Sequence, residues 1–303
     1  MKKLLTILAC ILPLLAGCSA SNEQAPNHFF WKVSDSNSSV YLLGSIHFAD
    51  STFYPLDSAI VNAFVRSEEL AVEIDMTDDS VLQEVAMQSL QLGMLPEGMI
   101  LDSLLPDTLV ERLDSVCREW NLPVGYFKGF TPWAAAMTLN SIGIMRLGFD
   151  GSLGIDLHFL NLAKESGKKV VPLETVEDQV FALTGKDASD EVALFLMEET
   201  LREIALMDSS IVWMMRAWKT GDDSLFHKAL DLDEAPLSAA DSLLKRDFEE
   251  RVYYARNREM VEKITAFLAE DRNVFVVVGA AHLVGMDDNV IDILRRKGFT
   301  VER

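Results

Sequence analysis

Cysteine is scarce in this 303-residue chain: there are three, and Cys10 and Cys18 both fall near its start. Cys117 alone remains in the body of the chain, which excludes a disulfide framework and a thiolate metal cage. Set in a helical pattern, it reads as a small core residue. Positive charge is also short. Lys and Arg total 27 against 47 Asp and Glu, a formal charge of −20. A surface of that sign repels phosphate backbones, so no nucleic acid is expected as a partner. Beyond the N-terminus no stretch approaches the ~18 apolar residues of a membrane span. Internal repeats are absent. So is the motif H-E-x-x-H, which excludes an ordinary zincin. Apolar residues, by contrast, make up 49% of the chain, ample for one large core or two small ones and unlike a disordered composition.

Lys2 and Lys3 precede an apolar run from Leu4 to Ala16. A charged start and a short apolar stretch make a secretory signal rather than a membrane helix. The ending Leu15-Ala16-Gly17-Cys18 resembles a bacterial lipobox, which implies cleavage before Cys18 and lipid on its thiol. The expected organisation is a signal peptide over residues 1–17, a polar tether over 18–27, and one α/β domain over 28–303 with a helical insertion at about 180–270. The expected location is the bacterial cell envelope, on the periplasmic face or the outer membrane, with the lipid as membrane contact.

Six segments read as strands: Phe29 to Val33, Val40 to Ile46, Leu70 to Ile74, Lys169 to Leu173, Asn273 to Val278 and Phe299 to Val301. The polar stretch between the first two predicts a hairpin. The unbroken Val276-Val277-Val278 predicts a strand covered on both faces. Helical patterns run from Asp57 to Ser67 and Gly154 to Ser166, at least twice between Leu104 and Gly148, and almost throughout Ser189 to Glu270. The fold class is therefore α/β: a central mostly parallel or mixed sheet with flanking helices and a long helical insertion.

Two of the five histidines share a setting. His47 closes Gly44-Ser45-Ile46-His47 after one apolar strand, and His282 closes Gly279-Ala280-Ala281-His282 after another. Each glycine is expected to permit an unusual turn. Ligands in open α/β sheets bind beyond the carboxyl ends of strands, so the two imidazoles are placed to meet there, as metal ligands or as a general base. Glu73, flanked by Val72 and Ile74, is costly to bury unless paired or metal-bound; otherwise it is an outward residue of an edge strand, and Asp75 competes with it. Glu174 also ends a strand, and either belongs to the site or has a structural role beside Thr175, a possible cap for the next helix.

Arg256 and Asn257 lie on a helix whose apolar stripe is Tyr253, Met260, Val261, Ile264 and Leu268; Asn257 falls near its centre and Arg256 on its flank. Asn257 must then find polar partners. Arg256 either stabilises an anionic intermediate or pairs with Glu73 or Glu174. Asp156, at a helix start, gains from the helix dipole whatever else it does. His158 is expected in solvent, and His28 and His227 are assigned no function. Trp213 to Trp218 reads as core rather than a haem or lipid groove.

These residues carry a resemblance. Tyr41 to His47 with Tyr54-Pro55-Leu56, Pro132-Trp133, Gly154-Ile155-Asp156, Leu173-Glu174-Thr175, Arg256-Asn257, Val278 to Gly285 and Gly298 to Val301 resemble, in order, the TraB/GumN (PrgY-like) family. That family is similar to the animal Tiki metalloproteases and more distantly to erythromycin esterases and a haem-binding lipoprotein group. The resemblance implies a site of His47, Glu73 and His282 with a divalent metal (Zn, Mn or Co). The expectation is a lipid-anchored, metal-dependent hydrolase of the peptidase kind, acting on a peptide or small molecule. In it His47, His282 and a carboxylate hold the metal, Glu73 or Glu174 is ligand or base, and Arg256 assists. Its rivals are an esterase-like hydrolase with His47 as base and no metal, and a lipoprotein that retains peptide or haem without cleaving it.

Overall fold

The computed structural model describes residues 28–185, 191–230 and 237–303. The signal segment, Cys18 and the tether lie outside the described residues, as does the acidic stretch Asp231 to Glu234.

All six expected strands form, with ends within about two residues of those read from the sequence: β1 (Phe30–Ser34), β2 (Ser39–Ser45), β3 (Glu69–Val72), β4 (Lys169–Pro172), β5 (Val274–Gly279) and β6 (Thr300–Glu302). They make one mixed sheet in the order β4-β3-β5-β2-β1-β6. β4, β3, β5 and β2 run parallel, while β1 is antiparallel to both β2 and β6. The predicted hairpin joins β1 to β2, its turn held by the Asp35 carboxylate, which accepts from the backbone N–H groups of Asn37 and Ser38. Phe30 pairs with Leu43, so β1 begins at the end of the sheet where β2 finishes. Central β5 is buried from Val274 to Val278, as its unbroken valines predict for a strand with helices over both faces.

The expected helices at Asp57 and Gly154 are Ser58–Arg66, capped by the Asp57 side chain, and Ile155–Ser166, closed by Gly167 in the left-handed region. Two more occupy Asp107–Glu119 and Pro132–Arg146, the second with proline in its first turn, where no N–H is needed. The described residues after Glu191 form helices at Glu191–Glu203, Met207–Thr220, Asp223–Leu230, Ala239–Glu249 and Ala255–Ala269. The last two are joined by a π-helical turn at Glu250–Tyr254. The helix Asp79–Gly93 lies outside the patterns read from the sequence: its apolar residues, Leu82 and Leu90 among them, are exposed, and only Gly93 is buried.

The main core surrounds the sheet and takes in Met215 and Trp218, in keeping with the core reading of that segment. A second cluster, including Leu113, Cys117, Leu139 and Met197, holds the more distant helices together and gives Cys117 its expected burial. Among the described residues no helix is long and apolar enough to cross a membrane.

Candidate functional site

The parallel strands end together, and the polar residues expected of the site follow those ends. Ser45 pairs with Gly279 across β2 and β5, and Val72 with Val277 across β3 and β5. His47 comes two residues after β2, Glu73 directly after β3, Glu174 two after β4 and His282 three after β5. Beyond the strands the ladder continues: Leu173 N–H donates to Val72 O at 2.7 Å and Glu174 N–H to Glu73 O at 3.0 Å, which sets the two glutamates side by side. Glu73 therefore stands off the strand, rather than within it on an edge face.

Neither Gly44 nor Gly279 adopts a left-handed φ, so the expected unusual turn is not their role. Gly44 is required by closeness: a Cβ there would lie 3.0 Å from Ala280 Cα and 3.1 Å from Phe29 Cβ. Gly279 has room for a Cβ, with its nearest neighbour Glu73 Oε1 at 3.4 Å. Its service is its N–H, which donates to Glu73 Oε1 at 2.6 Å.

Glu73 is thereby held on both oxygens. Oε2 accepts from Arg256 Nη2 at 2.7 Å and from Gln179 Nε2 at 2.8 Å. Burial works to raise its pKa, but the His282, Arg256 and His47 charges, with the Gly279 N–H, bring it down to about 2. Arg256 also grips Glu174 with two bonds of 2.7 Å, from Nε and Nη2, and gives Nη1 to Val252 O at 2.9 Å. Four of its five N–H groups are thus committed, and of the two expectations for Arg256 the geometry shows the pairing one. The Asp75 carboxylate turns away to the backbone and hydroxyl of Thr77 and is no competitor.

Each histidine is fixed through Nδ1. His282 Nδ1 lies 2.6 Å from Asn257 Oδ1, and Asn257 Nδ2 donates to Asp288 O at 3.1 Å. This finds the partners that a fully buried amide needs, and it assigns the proton of His282 to Nδ1, leaving a lone pair on Nε2. Burial, and the charges of Arg256 and His47 against that of Glu73, lower His282 to about 4, so it is neutral at pH 7. His47 Nδ1 lies 3.2 Å from Asp156 Oδ1 in an ion-pair contact, with 61% of its side chain exposed. Loss of solvation opposes the cation there, yet Asp156 and then Glu73 outweigh it, and the His47 pKa lies above its usual value. Asp156 is thus more than a helix-start carboxylate. Gly154 makes the approach possible: a Cβ on it would stand 2.5 Å from His47 O.

Gln179 and Asp156 are the site residues that sequence reasoning passed over or discounted. The one signal for Gln179 was Thr175, which does cap the helix Val176–Thr184, in a capping box with Asp178, and so sets Gln179 one turn past Glu174. His158 departs from expectation: instead of lying in solvent, its ring packs 4.9 Å from Tyr54 and 5.2 Å from Phe159. His28 rests on Trp218.

A cavity of about 310 Å³ opens at this rim, lined by His47, Glu73, Asp156, Gln179 and Ser45. Ser45 Oγ, buried, makes no hydrogen bond among the described residues, and Asp156 Oδ1 has the ion-pair contact with His47 but no hydrogen bond there. Nor do the described residues contain a group of three His, Cys, Asp or Glu side chains disposed to hold a metal ion. The donor chemistry fits such an ion at the two imidazoles. Each has Nδ1 against an oxygen and, among the described residues, no hydrogen bond at Nε2, the pattern of metal-binding histidines, although His47 would have to give up the proton that Asp156 favours. Glu73 would have to release Arg256 or Gly279 to serve as a third ligand.

Comparison with known proteins gives the chain a family. A model described as TraB/PrgY/gumN family matches residues 29–303. The uncharacterized protein YbaP of Escherichia coli (strain K12) is 26% identical over 277 residues, covering 89% of this chain and 94% of the relative. Metalloprotease TIKI1 of Danio rerio is 26% identical over 333 residues, covering 95% of this chain and 65% of the relative. The human protein of that name is 26% identical over 338 residues, with 96% and 65% covered. The chain thus spans just under two thirds of those metalloproteases. No solved structure gives a significant match.

Proposed function

The chain belongs to the TraB/PrgY/gumN family, and from that premise we propose that it is a metal-dependent hydrolase of the peptidase kind. One observation carries the reading. Two imidazoles from distant parts of the chain stand beyond neighbouring parallel strands, each with Nδ1 against an oxygen, of Asp156 and of Asn257, and with no hydrogen bond at Nε2 among the described residues. The relatives named metalloproteases support the same class. His47 and His282 would hold the metal, which when bound supplies a water acidic enough to attack at neutral pH. The chain's own residues do the rest. Asp156 and Asn257 orient the imidazoles. Glu73, ionised above about pH 2, sets a negative charge beside them, and Arg256 with Gln179 fixes that charge in place. The lipid on Cys18 and a place in the cell envelope belong to the same proposal.

A second reading draws on the exposed His47 imidazole beside Asp156, a general base with its orienting carboxylate once the proton that Asp156 favours has left it. The test is elemental analysis of the purified mature protein together with hydrolysis of fluorogenic peptides. His47→Ala and His282→Ala are expected to abolish both metal uptake and turnover. Turnover that survives exhaustive chelation, yet is lost in His47→Ala, would transfer the assignment to the His47–Asp156 pair. Full activity in His47→Ala would remove both readings, and full activity in His282→Ala would remove the metal-dependent one.

A further inference from the structure

The helix Asp79–Gly93 is apolar on two sides. Val81 and Val85 are half-buried, and the helix packs on the helices Val176–Thr184 and Pro132–Arg146. On the open side Leu82, Ala86 and Leu90 follow one another at successive turns, with Met87 beside them. Leu82, Met87 and Leu90 are 40%, 63% and 68% exposed. Met94, Met99 and Ile100, on the segment that follows, are also exposed. Single apolar residues on a surface are ordinary, but a row of large ones along one face marks a place where another molecule sits.

Charge narrows the choice of that molecule. No Lys or Arg occurs between Arg66 and Arg112, where Asp and Glu recur throughout. Some of these acids are engaged: Glu69 and Glu73 pair with arginines, and Asp78 caps the helix with the Lys164 charge nearby. Glu84 on the helix and Glu97 after it have no ion pair among the described residues, and Glu84 accepts only from Gln88, at 3.0 Å. Lys164 stands at one border, donating to Thr77 O, and Lys128 at the other, where its carbonyl accepts from Leu101 N–H. A second copy would set these same acids against each other, and helices that lie on a bilayer are rich in Lys and Arg, of which this one has none. The side chains of Met87, Met94 and Met99 adapt to uneven apolar partners.

We propose that this face docks an amphipathic, cationic segment of another polypeptide. Its large apolar side chains lie along Leu82, Met87 and Leu90, and its lysines or arginines meet Glu84 and Glu97. The contact does not involve the rim site, so the proposal stands apart from the hydrolase reading.

Isothermal titration of the mature protein with three helical peptides of one amphipathic pattern is the test: leucine with lysine, alanine with lysine, and leucine with glutamate. Leucine–lysine is expected to bind at least about tenfold tighter than either other probe. Met87→Ser/Leu90→Ser, at exposed positions with little to bury, should weaken that binding about tenfold. Glu84→Lys/Glu97→Lys should weaken it and make it less sensitive to salt. Val65→Ser and Glu259→Lys, at exposed positions on other helices, should leave it unchanged. Equal affinities for the leucine–lysine and leucine–glutamate peptides, or unchanged binding in both double variants, would overturn the proposal. So would self-association, or adsorption to phosphatidylglycerol vesicles, that Met87→Ser/Leu90→Ser abolishes, since the face would then belong to a second copy or to the bilayer.

Discussion

Arg256→Ala is the perturbation that asks most of the site. The arginine side chain is 13% exposed and holds Glu73, 12% exposed, and Glu174, 1% exposed, through three bonds of 2.7 Å. Removing one partner of a buried ion pair costs ~3–5 kcal/mol, because the charge left behind is neither solvated nor matched. Here one cation serves two carboxylates, so the loss at pH 7 is expected at the upper end, about 4–5 kcal/mol. The pH dependence carries the sharper test. In the wild type Glu73 is depressed to about 2 from an ordinary 4.5. Its contribution is therefore complete above 4.5 and is lost as the pH falls through 2. Without Arg256, Glu73 loses a cation that holds it down while a second carboxylate stays beside it, and its pKa rises above that range. Acidification from pH 7 to pH 4 should then shrink the mutant's deficit by about 1 kcal/mol or more. Urea unfolding at the two pH values measures this, and Arg256→Ala/Glu174→Gln should recover about 1–3 kcal/mol of the loss. A deficit below 1 kcal/mol at pH 7, or one equal at both pH values, would refute the clamp.

Asp156→Asn should bring the His47 pKa down toward 6.5 in an NMR titration; an unmoved titration would break the assignment of its cause. The stability that the raised pKa confers is present below 6.5 and lost as the pH rises through the folded value, and with the ring 61% exposed it amounts to no more than about 1 kcal/mol. Asn257→Leu leaves His282 Nδ1 and Asp288 O without their partner, and should cost about 1–3 kcal/mol in chemical denaturation. Gly44→Ala should be strongly destabilising, because backbone stands 3.0 Å from the new methyl, whereas Gly279→Ala should unfold within about 1 kcal/mol of the wild type. Equal Tm values for the two glycine variants would contradict the close-approach account.

The sequence was most legible where one local pattern decides. Short apolar segments marked every strand, and the helix Ala255–Ala269 put Asn257 at the centre of its buried stripe as its period required. His47 and His282 stood out because each follows an apolar strand, and strand ends in a parallel sheet share one rim. What escaped was pairing between distant segments. Nothing local to Asp156 says that the backbone at Ile155 bonds to Ile46 O at 3.1 Å and so brings its carboxylate under His47. Gln179 looks like any exposed residue in a first helical turn until β3 and β4 are laid side by side. The glycines of the two histidine motifs were singled out correctly but for the wrong physics: the crowding at Gly44 comes from Ala280, across the sheet. The helix Asp79–Gly93 was missed although Leu82, Ala86 and Leu90 recur at helical spacing, and in the fold that face stays largely exposed.

The antiparallel hairpin has a consequence for reach. Because Phe30 sits opposite Leu43, the chain comes into the sheet at the same lip on which His47, Glu73 and His282 are gathered. Any leash fastened upstream is therefore fastened on the working side of the molecule. Ten residues, fully stretched, extend roughly 35 Å, so if Cys18 carries the proposed lipid, that lip would stay within reach of the bilayer surface.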